Sequence, residues 1–375
     1  MKTSLVLVNQ HGLEKSPYLH YIYNAIIGAY RPRGMHKVLG FQEVSYQKIA
    51  AEGHDIALLT IVLPAGNSIK KNLWEKINYP AIVRHLSAAH IFYLGEDLPV
   101  LKEAKGAVQW QFVPDLSTVI IGEGAKDALI KKAGKKIDRL VLADKIVGYS
   151  KEAVSELNAV IVASQQHKLL SWLPLPDKDC LSPDLYTDER LELFKNQHTS
   201  GESYFLLDAR VASEADVIEY LKAFSHFKKW QRSSMRLALL LTTGLSKDPD
   251  FLEKLDAYYY KKDVEVLAEL EIPELYGWIK SAYAVVIPGF KDEGLDLQLA
   301  CAALGSLIVS PVSTTAKALL PGAIFELPAV DKESMGQVLI SCYKSEVLRA
   351  RHIRAGIEAS EKWDVAPPLA SLIDF

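Results

Sequence analysis

Short, mostly apolar runs alternate along this chain with longer stretches in which apolar residues recur every three or four positions. The runs lie at 4–8, 56–62, 89–94 and 108–113 in the first half, and at 204–207, 235–241, 284–287 and 307–309 in the second. A strand with one wet face would alternate apolar and polar residues, so near-continuous runs suit parallel strands buried on both faces. Residues 18–30 repeat apolar positions at helical spacing, behind Ser16 as a cap and Pro17 at the first helical position. Further helices are predicted over 217–230, from Ile272 to Ser281, over 297–304, from Asp331 to about 343 and over 346–363, and Ser150 would cap one over the following residues. Repeated strand, helix, strand succession predicts an α/β fold, and no repeat period or low-complexity tract interrupts it.

The most informative stretch is 281–312. A β-branched run, Ala284-Val285-Val286-Ile287, ends at Pro288-Gly289, and a polar loop, Lys291-Asp292-Glu293-Gly294, follows. An apolar helix through Leu297, Leu299, Ala300, Cys301 and Leu304 is closed by Gly305 in the C′ position, and a second buried run, Leu307-Ile308-Val309, begins at once. In open α/β sheets the ligand crevice lies at the carboxyl ends of the strands, which is where this loop falls. The loop Asn9-Gln10-His11-Gly12 occupies the equivalent place after the first strand.

Composition narrows the class. With 375 residues the chain exceeds one ordinary core, so two domains are expected. Their boundary falls between 173 and 201, where Pro174, Pro176, Pro183 and several aspartates surround a short charged helix near Arg190 and Phe194. A net charge of -3 gives no overall pull toward nucleic acid or anionic membrane. A local basic cluster, Lys126 with Lys131-Lys132 and Lys135-Lys136, suits a solvated helix face and also an anionic lipid surface. The three cysteines show no framework spacing, which suits a reducing, cytoplasmic setting. The apolar run at the N-terminus is too short for a signal peptide, and no window reaches the length of a membrane span, so any membrane contact is expected at the surface. His11, His85 and His90 are scattered without metal-ligand spacing, and no Walker loop or G-x-S-x-G occurs.

These segments resemble the family-4 (group 1) GT-B glycosyltransferases. Segment 281–312 parallels the family's donor-site motif, roughly A-x-A-x-V-x-P-S-x-x-E-G-F-G-x-P-x-L-E-A-x-x-x-G-x-P-V-[IV]. Pro288, Leu299, Gly305 and Val309 fall on its positions, Asp292 on its first glutamate and Ala300 on its second. Ala143-Asp144, Ile146 and Ser150 match Ala-Asp-x-Ile-x-x-x-Ser; Tyr204-Phe205-Leu206 resembles the opening of the family's second domain, and Leu221-Lys222-Ala223-Phe224 its L-x-K-A-F helix. The resemblance covers nearly the whole chain and is strongest over 137–157 and 203–305. It implies a GT-B architecture of two Rossmann-like, doubly wound domains facing a cleft. On that pattern 1–173 is the acceptor-type domain, 174–202 a linker, 203–356 the donor-type domain, and 357–375 crosses back to the first.

The resemblance also assigns chemistry. In the family the first carboxylate of the motif contacts the donor sugar and the second the ribose, while cations stabilise the leaving diphosphate without metal or other cofactor. The ligand implied is a nucleotide-diphosphate sugar. Asp292 is the candidate catalytic residue, and Arg210, Lys247, Asp292, Glu293, Ser313 and Thr314 are candidate donor contacts. Several of these also suit plain structural roles: Asp292 and Glu293 a solvated loop, Ser313 and Thr314 a helix cap. Four positions depart from the pattern. Ala300 replaces the second glutamate, Pro114 a histidine, and Glu214-Ala215 the basic pair of the phosphate loop. A carboxylate beside a diphosphate is repulsive by a few kcal/mol at an effective dielectric of roughly 20; Glu214 is better read as an acid in the first turn of a helix, where the dipole favours it. The expectation is a non-catalytic relative that binds a glycan, a nucleotide or a partner protein in glycan metabolism, at the cytoplasmic side or peripheral at the inner membrane face. The alternative is an active retaining enzyme moving a hexose from UDP- or GDP-sugar to a glycan or lipid-linked acceptor.

Overall fold

The structure is a computed structural model that describes residues 3–9, 17–41, 43, 56–63, 69–94, 98, 100–102, 104, 106–113, 134–135, 137–148, 151–161, 169–172, 176, 181–210, 212–289 and 294–363. The described residues up to 172 belong to one compact unit and those from 176 to 363 to a second.

The first unit holds a seven-stranded, wholly parallel sheet of β1 (Ser4–Asn9), β2 (Met35–Gly40), β3 (Ile56–Leu63), β4 (His90–Leu94), β5 (Val108–Val113), β6 (Lys145–Gly148) and β7 (Leu169–Ser171), in the order β2-β3-β1-β4-β5-β6-β7. The central strands are buried throughout, which is why they read as unbroken apolar runs. β2 was not expected from sequence. It is an edge strand with Met35 and Val38 exposed, so no core face disciplines its pattern. Helices α1 (Pro17–Tyr30), α2 (Ile69–Leu86) and α3 (Lys151–Val160) also belong to this unit. Trp74, Tyr79, Ile82 and Val83 of α2 pack into one core with Leu5, Ile61, Ile91 and Tyr93. Inside that core the Tyr79 and Tyr93 hydroxyls meet at 2.8 Å, and Tyr93 donates to Gln109 Oε1 at 2.7 Å. Gln109 is tied to the backbone of Leu101 through both ends of its amide.

The second unit holds β8 (Tyr204–Asp208), β9 (Arg236–Leu240), β10 (Val264–Leu267), β11 (Ala284–Val286), β12 (Ile308–Ser310) and β13 (Ile324–Glu326), all parallel, in the order β10-β9-β8-β11-β12-β13. Chain order runs outward in one direction from β8 to β10 and then resumes on the other side at β11, so the topological switch lies between β8 and β11. Two α/β sheets with flanking helices are what the apolar runs predict. The helices are α4 (Asp188–Thr199), α5 (Glu214–Gln231), α6 (Thr243–Ser246), α7 (Pro249–Asp256), α8 (Ile272–Ser281), α9 (Leu295–Leu304), α10 (Thr314–Leu319), α11 (Lys332–Lys344) and α12 (Glu346–Ser360). Val217, Phe224 and Phe227 of α5, Phe251 of α7 and Met335 and Leu339 of α11 share a core with Phe205, Leu207 and Leu239.

The stretches expected as linker and crossover are described in part. Within 174–202, α4 is a twelve-residue helix capped by Thr187, and it packs on α8: the Phe194 and His198 rings lie 5.3 and 5.0 Å from that of Trp278. The short charged helix expected near Arg190 and Phe194 is this one, longer than expected and anchored by a few aromatic contacts. Of 357–375, residues to 363 stay with the second unit, where Trp363 Nε1 donates to the Leu319 carbonyl at 3.1 Å; the remainder lies outside the described residues. Among the described residues no helix is long and apolar enough to cross a membrane.

Candidate functional site

The carboxyl ends of β8, β11 and β12 bring buried polar groups together at the switch point. β8 is wholly buried yet ends on an acid, Asp208, which is 5% exposed. The chain turns there, and two residues on, Arg210 grips the same carboxylate with both arms: Nε to Oδ1 and an Nη to Oδ2, each 2.7 Å. This bidentate pairing fixes the guanidinium against its own strand end.

α9 enters the same place. Gly294 precedes it with φ +78, a conformation that favours glycine, and a Cβ there would stand 2.5 Å from Ile287 Cγ2. The backbone therefore comes close over β11, and the start of α9 lies beside Asp208. Asp296, the second residue of α9, is 6% exposed. Burial pushes its carboxyl up to about 6; Asp208 pushes the same way, while Arg210 and the N–H groups of Leu297 and Asp296 itself act against the rise. Cys301, a little over one turn further along α9, has its thiol held well above the usual range by burial and by both aspartates. It is a protonated packing group, not a nucleophile.

Gln298, 1% exposed, completes the group. Its Nε2 donates to Ser310 Oγ at 2.9 Å, and Ser310 donates on to the Ile287 carbonyl at 2.8 Å. Its Oε1 is buried with no hydrogen-bond donor.

The residues singled out from sequence separate. Arg210 belongs to this group. Lys247 does not: exposed, it pairs with Glu269 at 3.1 Å, and that carboxyl is lowered by Lys247 and the Thr243 hydroxyl. Ser313 caps α10, accepting from the Ala316 N–H at 3.0 Å, and Thr314 opens that helix. Asp292 and Glu293 lie outside the described residues, as do Pro114, His11, Ser150 and the cluster from Lys126 to Lys132. Glu214 opens α5 next to a reciprocal capping box between Ser213 and Asp216, and it ion-pairs with Lys254. Ala300, 1% exposed, sits in the buried middle of α9. Sequence reasoning passed over Asp208, Asp296 and Gln298. The signal was present in Leu295-Asp296-Leu297-Gln298-Leu299, two polar residues inside a helix that is otherwise apolar all round.

In the first unit the corresponding switch lies between β1 and β4, and residues 10–16 beyond β1 are outside the described residues. Among the described residues no cluster of three or more His, Cys, Asp or Glu side chains is arranged to hold a metal ion.

No family model matches the sequence, and neither does any curated protein compared with it. Solved structures do match. A glycosyltransferase from Rickettsia africae is similar at TM-score 0.61 and 14% identity, covering 96% of this chain and 93% of that one. Anabaena Alr3699/HepE in complex with UDP and glucose gives TM-score 0.63 at 13% identity, covering 97% and 96%. A trehalose 6-phosphate synthase from Burkholderia multivorans gives TM-score 0.65 at 10% identity, covering 96% and 95%. At such identities the likeness shows the fold, which is the GT-B glycosyltransferase architecture.

Proposed function

We propose that this chain is a glycosyltransferase-like protein whose donor crevice does not carry out sugar transfer, a binding or assembly protein in glycan metabolism. One observation carries the reading. At the switch point Arg210 is held in a bidentate pair by Asp208, and a second carboxylate, Asp296, is buried in the first turn of α9, whose start lies beside Asp208. With both aspartates ionised the trio carries a net charge of -1. A diphosphate entering there meets repulsion where transfer requires a cation to take up the leaving group's charge. Lys247, tied to Glu269 at the surface, adds no cation to this trio. The acceptor-type and donor-type roles of the two units, and the return of the last residues to the first, belong to the same proposal.

The alternative, retaining hexosyl transfer from a UDP- or GDP-sugar, draws support from the near-complete coverage of a neighbour that holds UDP and glucose. Calorimetry decides between them. UDP, GDP and their sugars are expected to bind no tighter than about 1 mM; micromolar affinity with turnover would overturn the proposal in favour of the enzyme.

A further inference from the structure

The start of a helix at a switch point is where an α/β fold presents unpaired N–H groups and a positive dipole end to an anion. Here the chain supplies that anion itself. We propose that Asp296 is the residue that closes this crevice to diphosphates, its carboxylate occupying from within the place at the start of α9, beside Arg210, that an anionic ligand needs. The inference rests on the reading that the crevice has lost donor binding, and it names the group responsible.

Three features of the structure support it. Asp296 lies in the first turn of α9 and is 6% exposed, and the helix start it belongs to stands beside Asp208, where a Cβ on Gly294 would be 3.9 Å from Oδ2, so its charge sits where a bound anion would meet the first-turn N–H groups. Arg210 is held by Asp208 in a bidentate pair and lies in the field of Asp296, which keeps its guanidinium from a ligand. Gln298, almost fully buried one turn into α9, carries an acceptor without a donor, so a further oxygen arriving there adds an acceptor to an acceptor.

Among the described residues the groups acting on Asp296 are few, and α8 brings its one cation, Lys280, to the far end of α9, at the Leu304 carbonyl. Asp208 and Arg210 face it from β8 and the turn after it, and Cys301 lies along its own helix. β11 and β12 present Val285, Val286, Ile308, Val309 and Ser310, none of which titrates. α12 packs on the far half of α9, Gly356 against Ala302 and Ile357 against Gly305. Protonating Asp296 therefore leaves the Asp208–Arg210 pair neutral as a whole and frees the helix end from a negative charge.

The test uses the full chain and UDP-glucose, whose phosphates are both diesters and keep their charge from acid to neutral pH. By calorimetry at about pH 7.5, Asp296→Asn is expected to bind UDP-glucose at least tenfold more tightly than the parent protein, about 1.4 kcal/mol. Asp296→Ala serves as the second variant, and a thermal melt of each confirms folding. Without any substitution, the parent protein is expected to gain about tenfold in affinity between about pH 7.5 and about pH 5, a gain absent from Asp296→Asn. If both folded variants bind as weakly as the parent, or if the pH gain survives in Asp296→Asn, this inference is overturned while the non-catalytic reading stands. Micromolar binding by the parent protein at about pH 7.5 overturns both.

Discussion

Each unit buries a chain of polar side chains, and the two chains are built on opposite terms. In the first unit Tyr79, Tyr93 and Gln109 pass hydrogen bonds along a neutral line that ends on the backbone of Leu101, and none of their buried atoms is left without a partner. The line crosses the body of the sheet among packed apolar residues, and burial raises both phenols so that they stay protonated. In the second unit Asp208, Arg210 and Asp296 are ionic, stand at a strand end and a helix start, and among the described residues set two carboxylates against one guanidinium; Gln298, in the second turn of α9, keeps an orphan acceptor. A satisfied neutral network stabilises a core and asks for nothing further. An unbalanced ionic one is costly to keep, and its place at the switch point marks it as a feature of the crevice rather than of packing.

The sharpest way to break the comparison is to remove the shared cation. Arg210→Ala leaves two buried carboxylates without their partner, and a loss of about 3–5 kcal/mol in urea denaturation is expected. A loss under about 1 kcal/mol would mean that the trio is solvated and no different from a surface pair.

Asp296 gives the next effect, of opposite sign. Its folded value of about 6 lies above that of an unfolded aspartate, 3.8. The stability it contributes is therefore fully present below about pH 4 and is lost as pH rises through about 6. Asp296→Asn should flatten that slope and leave the variant more stable than the parent at about pH 7.5, by up to about 3 kcal/mol from a shift of roughly two units. Denaturation curves at several pH values read this directly; a variant less stable than its parent at neutral pH would show that the ionised carboxylate is a net stabiliser.

How much of this was legible in sequence follows from the same physics. Strands buried on both faces announce themselves, so β1, β3, β4, β5, β8, β9, β11 and β12 are visible as apolar runs, whereas β2 at an edge and three-residue β13 are not. Gly305 was read as a helix stop, and it takes φ +71. The candidate site is less legible, because polar loop residues suit helix caps and surface pairs as well as ligand contacts. Ser313 caps a helix and Lys247 joins a surface pair, while Glu214 opens a helix as its sequence context predicts. The residues that converge were the polar exceptions within apolar segments, Asp208 closing a strand and Asp296 and Gln298 inside α9. Their partners are set by sheet order, which fixes which strand end meets which helix start and which no local pattern contains.

The smallest effect comes from the first unit and completes the contrast. Tyr93→Phe removes the hydroxyl that links Tyr79 to Gln109, yet Gln109 Oε1 keeps the Leu101 N–H at 3.1 Å, so the Tyr79 hydroxyl is the group left without this partner. One buried hydroxyl stranded in a tight core costs about 1–2 kcal/mol. Because burial keeps both phenols protonated, the cost should be the same from about pH 4 to about pH 8, measured by urea denaturation at the two ends. A cost that changes over that range would mean that a charge is hidden in the line, with the exposed Asp144 carboxylate, which accepts from the Gln109 N–H at 2.8 Å, as its source. The neutral core network and the charged crevice would then differ in degree and no longer in kind.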